Sequence, residues 1–477
     1  AMLAAWNEED AVSESVQHPD KSGVEEQTSE KTQLSGTVTR YQSLALLGSS
    51  LLAAVSTLVV TMIAQRALNG SELTEFLLFW AALFTVTGII TGIQPEITRA
   101  VGTARTHTVT DRAVSGSATS AEGSVSQGAL VITVTAALGA IAAALVLVSS
   151  PLWADQQIPH SAAIGVIVMA VGVFLYALQA TISGVTAGED RWYLFAAVGG
   201  LESVGRLILI LAAALMIPSL AGLEVAIVVP MGLWLILALA TVSGRRLWVA
   251  RADVPARRLS ANILWSFLSS AAAAVLMMGF PNVLKASSTA ESEPVVLGTL
   301  ILAISITRSP IMIPLQAFQG VAVSAFLKQS HRPVAAFIKP AAAVVVVGAV
   351  GALAAYVVGP LLFRLIYPPA TGAESAYEVA ASCITLGALV FASALLALMT
   401  LSGNMALAVN QHRIYLAGWV VAAAVTLSLA FLIPAPLVPR AIVALAVGPV
   451  CGFVVHMVGV SLASRTKEAR AEETHAE

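Results

Sequence analysis

Long apolar runs separated by short polar stretches dominate this 477-residue chain. A bilayer core about 30 Å thick takes about 20 apolar residues per helix. The pattern predicts twelve such helices, over residues 43–65, 76–95, 127–149, 162–185, 193–217, 220–243, 261–284, 294–326, 340–363, 379–404, 413–434 and 438–463. Each span with its loop takes about 35 residues, which leaves no room for a folded domain between spans; the longest internal gaps are 101–127 and 244–260. The stretch from Asn7 to Arg40 is polar and acidic and lacks a helical apolar period, so residues 1–41 are expected to form a disordered tail and not a signal peptide. The first span would then act as its own insertion signal.

Composition sharpens this picture. Charged residues make up 11% of the chain, against about 25% in a soluble domain, too few to coat a water-facing surface. That excludes a soluble enzyme. Residues 1–41 and 464–477 hold 18 of the 52 charged side chains, leaving 34 for the 422 residues between. The 25 basic and 27 acidic residues nearly cancel, with no dense basic block, so no nucleic-acid partner is expected. Cys383 and Cys451 are the only cysteines and lie in apolar runs, and no histidine pair has the HExxH spacing; no catalytic group, cofactor or metal site is predicted. With both tails in the cytoplasm, thirteen basic residues fall on inner loops, among them Arg99, Arg105, Arg191, Arg246 and Arg251, against Arg66, Lys285, Arg364 and Arg440 outside. Outer loops instead collect carboxylates such as Glu72, Glu75, Asp155 and Glu374. The expectation is an all-α polytopic protein with 12 transmembrane helices and cytoplasmic N and C termini. The Ala-rich, Lys-poor composition suggests a high-GC bacterial genome, and the expected location is the bacterial cytoplasmic membrane.

The arginine-rich stretch 244–260 divides the spans six and six, as a transporter built from two repeats would. The expected organisation is a tail (1–41), an N-lobe (42–243), a basic cytoplasmic linker (244–260), a C-lobe (261–463) and a second tail (464–477). Thr181-Ile182-Ser183-Gly184 recurs as Thr400-Leu401-Ser402-Gly403, each followed by Arg-x-Tyr at Arg191 and Arg413, a weak internal echo.

Ionisable groups inside a bilayer cost several kcal/mol unless paired or wetted, so the few present are informative. Glu202 and Arg206 lie one turn apart on the fifth span. They are either a self-neutralising pair or part of a wet cavity in which Arg206 meets an anionic ligand. Arg308 lies mid-way along the eighth span with no acid within a turn, and Met312, Gln316 and Gln319 continue its face. Pro310 and Pro314 interrupt backbone hydrogen bonding on the same segment, which suits a cavity wall or gate. The plain alternative is a kinked packing helix whose arginine pairs with a remote acid such as Glu202. Arg99 reads as a snorkelling span-end charge, and Arg66 and Lys285 as interface anchors. Asn262, Ser266, Ser269 and Ser270, with Asn404, Asn410 and Gln411, form polar strips that more often bond between helices than to ligands.

The segment Ile63-Ala64-Gln65-Arg66-Ala67-Leu68-Asn69-Gly70 running into Leu73-Thr74-Glu75-Phe76, the stretch Gly92-Ile93-Gln94-Pro95-Glu96-Ile97-Thr98-Arg99, and the small-residue end of span four before Arg-x-Tyr resemble Wzx-like polysaccharide flippases of the multidrug/oligosaccharidyl-lipid/polysaccharide exporter (MOP) superfamily. That resemblance implies two six-helix lobes around a central cavity, and transfer of a polyprenyl-phosphate-linked or polyprenyl-diphosphate-linked glycan from the inner to the outer leaflet by alternating access, for cell-wall or capsular glycan synthesis. It also implies that cavity arginines hold the lipid phosphate, a role falling to Arg308 first and Arg206 second. Membrane lipids and cell-wall synthesis enzymes are the further expected partners. A multidrug and toxin extrusion (MATE) antiporter of the same fold wants an embedded carboxylate, and the first span has none. A polyprenyl-phosphate glycosyltransferase would need a larger outer loop than this chain offers. A transport-inactive scaffold acting through its tails is the third alternative.

Overall fold

The computed structural model describes residues 40–115, 128–288, 294–317, 326, 333–369, 372–409 and 411–476. Twelve helices within them are long and apolar enough to cross a membrane. They are α1 (Leu44–Ala67), α2 (Gly70–Thr106), α3 (Val131–Leu152), α4 (Ala162–Gly188), α5 (Trp192–Met216), α6 (Leu220–Ala240), α7 (Ala256–Ser287), α8 (Pro294–Met312), α9 (Pro333–Ile366), α10 (Cys383–Ala408), α11 (His412–Leu432) and α12 (Leu437–Ser464). The described residues contain no strand beyond one isolated antiparallel bridge between Leu130 and Arg251. The all-α, twelve-helix architecture is the one the apolar pattern dictates, because bilayer thickness sets the run length.

Three spans depart from expectation. α2 starts at Gly70 and not near residue 76. The Asn69 side chain accepts from the Glu72 amide at 3.0 Å while the Glu72 carboxylate accepts from the Asn69 amide at 3.3 Å, a capping box that carries the helix start into polar sequence. Glu72 and Glu75 therefore belong to the first turns of α2 and not to a loop, and Glu75 is buried. Further on, α2 is interrupted by a turn at Thr91 and Gly92. A Cβ on Gly92 would come within 2.8 Å of the Ser266 carbonyl carbon, so the missing side chain lets α7 close onto α2. α9 begins at Pro333, seven residues before the expected start. The α8 helix runs through Pro310 without a break to Ala317. The side chains of Pro314 and Gln316, all of Gln319 and Asn410, and residues 1–39 lie outside the described residues.

Packing follows one scheme twice. α3 and α2 pack on α4, α1 packs on α5, and α6 packs on α4 and α5; the same pairs recur shifted by six helices, from α9 and α8 on α10 to α12 on α10 and α11. α7 and α8 of the second set meet α2 of the first. The echo residue Gly184 lies at a tight crossing, where a Cβ would approach the Ile97 side chain to 2.7 Å, so a small residue there serves packing of α4 on α2. One face of α9, from Val346 through Val350, Leu353, Val357 and Leu361 to Leu365, is 61–73% exposed and wholly apolar, as a lipid-facing helix requires. His456 is fully buried in α12, where Nε2 donates to the Tyr415 carbonyl at 3.0 Å and Nδ1 bonds the Ser402 hydroxyl at 2.9 Å. Both ring nitrogens are satisfied, so this histidine is a structural tie between α10, α11 and α12.

Candidate functional site

A cavity of about 530 Å³ lies between α1, α2, α4 and α5 on one side and α7 and α8 on the other. Glu202, Arg206 and Arg308 all line it, together with Met312. Three ionisable groups that the sequence places at depth on two separate helices thus share one space. Hydroxyls of Ser50, Thr57, Thr61, Ser305 and Ser309 wet its wall, and Trp80, Phe84 and Tyr176 give it an aromatic face.

Arg206 is held from every side. It is 4% exposed and pairs through Nη2 with Oε1 of Glu202, one turn earlier on the same helix. Gln179 of α4 donates to the other Glu202 oxygen at 2.6 Å. The guanidinium carbon lies 5.2 Å from the centroid of Phe84 and 5.9 Å from that of Trp80, and the two rings stack at 4.9 Å. Aromatic faces are electron-rich, so this clamp compensates part of the lost hydration of the cation. Both carboxylate oxygens of Glu202 are engaged, while Arg206 Nε and Gln179 Oε1 are buried without a hydrogen-bond partner among the described residues.

Arg308 differs. It makes no ion pair among the described residues, and the remote acid offered by the sequence, Glu202, is taken by Arg206 and Gln179. Its Nη1 instead donates to the Met277 carbonyl of α7. The covalent structure of α7 explains why that carbonyl is free. Residues Val275–Gly279 form a π-helical turn, and Pro281, four residues after Met277, has no N–H to return to it. Arg308 Nε is buried without a hydrogen-bond partner among the described residues. Ser305 and Ser309 satisfy themselves on their own helix, through the Ile301 and Ser305 carbonyls, both at 2.8 Å.

The polar strip on α7 takes its plain role: Asn262 donates to Glu96 at 2.8 Å. Glu96 also pairs with Arg99 at 2.7 Å, and Arg99 reaches Asp253 at 2.9 Å, so Arg99 ties the chain between α6 and α7 to α2.

Sequence reasoning missed the aromatic clamp and the Met277 carbonyl, although the Pro281 that frees it is visible four residues on. It also missed a second acidic centre. Glu224, in the first turns of α6, is fully buried and accepts from Ser161 at 2.7 Å, so Glu202 is not the sole buried acid. Glu75 at the same end of the bundle accepts from the backbone N–H of His160 at 3.0 Å and also bonds its ring Nδ1. The hydrogen bond to the Glu75 carboxylate and its charge hold the His160 imidazole above the usual histidine range. A raised folded-state value stabilises the fold below the unfolded value of about 6.5, and that contribution disappears as pH rises through the folded value. In thermal-unfolding scans His160→Gln is therefore expected to fall below the wild type at mildly acidic pH and to match it at alkaline pH. Among the described residues no group of three His, Cys, Asp or Glu side chains is placed to hold a metal ion.

No family model matches the sequence. The chain is 31% identical over 420 residues to the uncharacterized protein Rv1510 of Mycobacterium tuberculosis, covering 88% of this chain and 91% of that one. It is 33% identical over 408 residues to the uncharacterized protein Mb3654 of Mycobacterium bovis, covering 84% and 88%. Among solved structures, the inward-facing conformation of a multidrug resistance MATE family transporter of the MOP superfamily superposes with a TM-score of 0.66 at 13% identity, over 89% of this chain and 99% of that one. A MOP superfamily transporter from Pyrococcus furiosus, whose binding pocket of reverse polarity suggests a different function, superposes with a TM-score of 0.62 at 14% identity, over 88% and 95%. The chain thus belongs to the family of these mycobacterial proteins, and its fold is that of the MATE transporters of the MOP superfamily.

Proposed function

We propose that this protein is a flippase that carries a polyprenyl-phosphate-linked or polyprenyl-diphosphate-linked sugar from the inner to the outer leaflet of a bacterial cytoplasmic membrane, for cell-wall or capsular glycan synthesis. The observation that carries this reading is Arg308, a cavity guanidinium with no carboxylate partner among the described residues. Two arginines against one glutamate leave the cavity with surplus positive charge. A planar guanidinium suits bidentate contact with phosphate oxygens, and exchanging the Met277 carbonyl for a phosphate gives Arg308 a charged acceptor in place of a neutral one. The surrounding hydroxyls replace headgroup water, and the polyprenyl tail stays in lipid outside the bundle.

Alternating access needs a closure at each end of the cavity. At the end of the bundle that carries Glu75, α1 is strapped to the segment after α9. Thr61 bonds the Tyr367 hydroxyl at 2.8 Å, Arg66 donates to the Ile366 carbonyl at 3.1 Å, and Gln65 donates to the Pro368 carbonyl. These bonds are the ones that release of a headgroup at that end would have to break. With both termini cytoplasmic, that end is the outer one. Outward movement of two negative charges gains roughly 4.6 kcal/mol from an inside-negative potential of about 100 mV, so no coupled ion is required.

A MATE drug antiporter is the second reading, and the buried carboxylate of Glu224 favours it. Glu224 does not line the cavity, whereas a site for cationic drugs calls for surplus negative charge within it. Depletion of the protein followed by mass analysis of lipid extracts separates the two. A polyprenyl-linked sugar is expected to accumulate in the inner leaflet; unchanged lipid-linked sugars together with retention of cationic dyes would favour the antiporter.

A further inference from the structure

The arginine-rich stretch between α6 and α7 is docked, not slack. Its backbone pairs with the start of α3: Ala129 N–H donates to the Val254 carbonyl at 3.1 Å, Ala252 N–H to the Ala129 carbonyl at 2.9 Å, and Val131 N–H to the Ala250 carbonyl at 3.0 Å. Asp253 N–H donates to the Ala100 carbonyl of α2 at 3.2 Å, and Leu247 and Ala252 are buried beneath it. This docking builds a pocket of about 460 Å³ against the ends of α2, α4 and α5, separate from the central cavity. Arg105, Arg191, Arg246 and Arg251 line it, with Glu189 as the single carboxylate among the described lining residues.

The partners of the four guanidinium groups leave charge over. Arg191 pairs with Glu189 at 2.8 Å, and Arg105 with Asp190 at 3.2 Å. Arg251 donates to the Gly128 carbonyl at 2.9 Å, a neutral acceptor. Arg246 makes no ion pair among the described residues. Two positive charges thus remain uncompensated around a space large enough for a phosphate group. The same short turn that carries Arg246 also carries Trp248 and Val249, which are 38% and 68% exposed. Exposed Trp and Val beside arginines, at the end of a membrane-spanning bundle, make a surface that is apolar toward the acyl chains and basic toward headgroups.

We propose that this pocket binds the phosphate headgroup of an anionic phospholipid, with Arg246 and Arg251 on the phosphate and Trp248 and Val249 against the upper acyl chain. A soluble phosphate compound would need only the charge; the exposed apolar pair selects a lipid. The site is independent of the central cavity and of the substrate proposed for it.

Native mass spectrometry of the purified full chain in micelles containing phosphatidylglycerol, with phosphatidylcholine as the neutral competitor, tests this. Wild-type protein is expected to retain phosphatidylglycerol selectively, and Arg246→Gln to reduce that retention roughly fivefold. Arg246 is exposed and makes no ion pair among the described residues, so its replacement is expected to leave the docked stretch intact. Repeating both measurements with Arg308→Ala removes any anion bound in the central cavity, and the fivefold difference should persist. Equal retention by Arg246→Gln and wild type would overturn the proposal. So would displacement of bound phosphatidylglycerol by millimolar inorganic phosphate, which would assign the pocket to a soluble phosphate compound; continued retention in phosphate supports the lipid.

Discussion

Replacing Arg308 by alanine is expected to slow transport of an anionic lipid-linked sugar roughly ten- to a hundredfold while leaving an inserted, monodisperse protein. The expected size is that of a lost hydrogen-bonded contact between charged groups. The fold is expected to tolerate the change because, among the described residues, the hydrogen bond removed is the one to the Met277 carbonyl in the cavity wall. Arg308→Lys keeps the charge and loses the planar fork, so an intermediate rate is expected. Initial transport rates in proteoliposomes, read beside thermal unfolding of the same preparations, separate a transport defect from a folding defect. A well-folded Arg308→Ala protein that transports at the wild-type rate removes Arg308 from the site.

The second large effect falls on stability. Glu202→Gln is expected to destabilise the protein by about 3 kcal/mol, because it leaves the Arg206 cation buried without its carboxylate. Exchanging the pair does not rescue it. A carboxylate at position 206 would face the electron-rich faces of Trp80 and Phe84, which now stabilise a cation. Glu202→Met combined with Arg206→Met is expected to recover most of the loss, since neither position then leaves a charge without its partner. Denaturation midpoints of the single, exchanged and doubly neutral variants in one detergent give the order directly. An exchanged variant as stable as the wild type would show that the aromatic clamp contributes nothing.

The spans were legible because a helix must match the bilayer, and apolar run length records that match. The start of α2 was not, since a capping box lets Glu72 and a buried Glu75 enter a helix that hydropathy alone begins later. Glu202, Arg206 and Arg308 were legible one helix at a time, as charges far from a span end. Their convergence on one cavity depends on how α5 and α8 cross α1, α2 and α7, which no single-helix pattern carries. For the same reason the Met277 carbonyl was not foreseen as the acceptor for Arg308: a main-chain carbonyl leaves no trace in side-chain composition, and only Pro281 hints that it is free. Glu224 was missed because an acid near a span end reads as an interface charge, whereas the loop carrying Ser161 folds over it. The prolines of α8, Pro310 and Pro314, were visible in the sequence as kink formers, whereas the π-helical turn at Val275–Gly279 of α7 was not. The basic stretch 244–260 was visible as charge but not as the wall of a pocket.

The central claim is that the cavity carries an anionic, lipid-linked headgroup. Proteoliposomes loaded with a short-chain polyprenyl-diphosphate sugar in the inner leaflet, with an impermeant sugar-modifying enzyme outside, test it most directly. Wild-type protein is expected to expose the sugar to the enzyme far faster than empty liposomes do, Arg308→Ala protein is expected to fall near the empty rate, and a cationic dye is not expected to compete. Exposure no faster than in empty liposomes, or transport of the dye in place of the lipid, would contradict the claim.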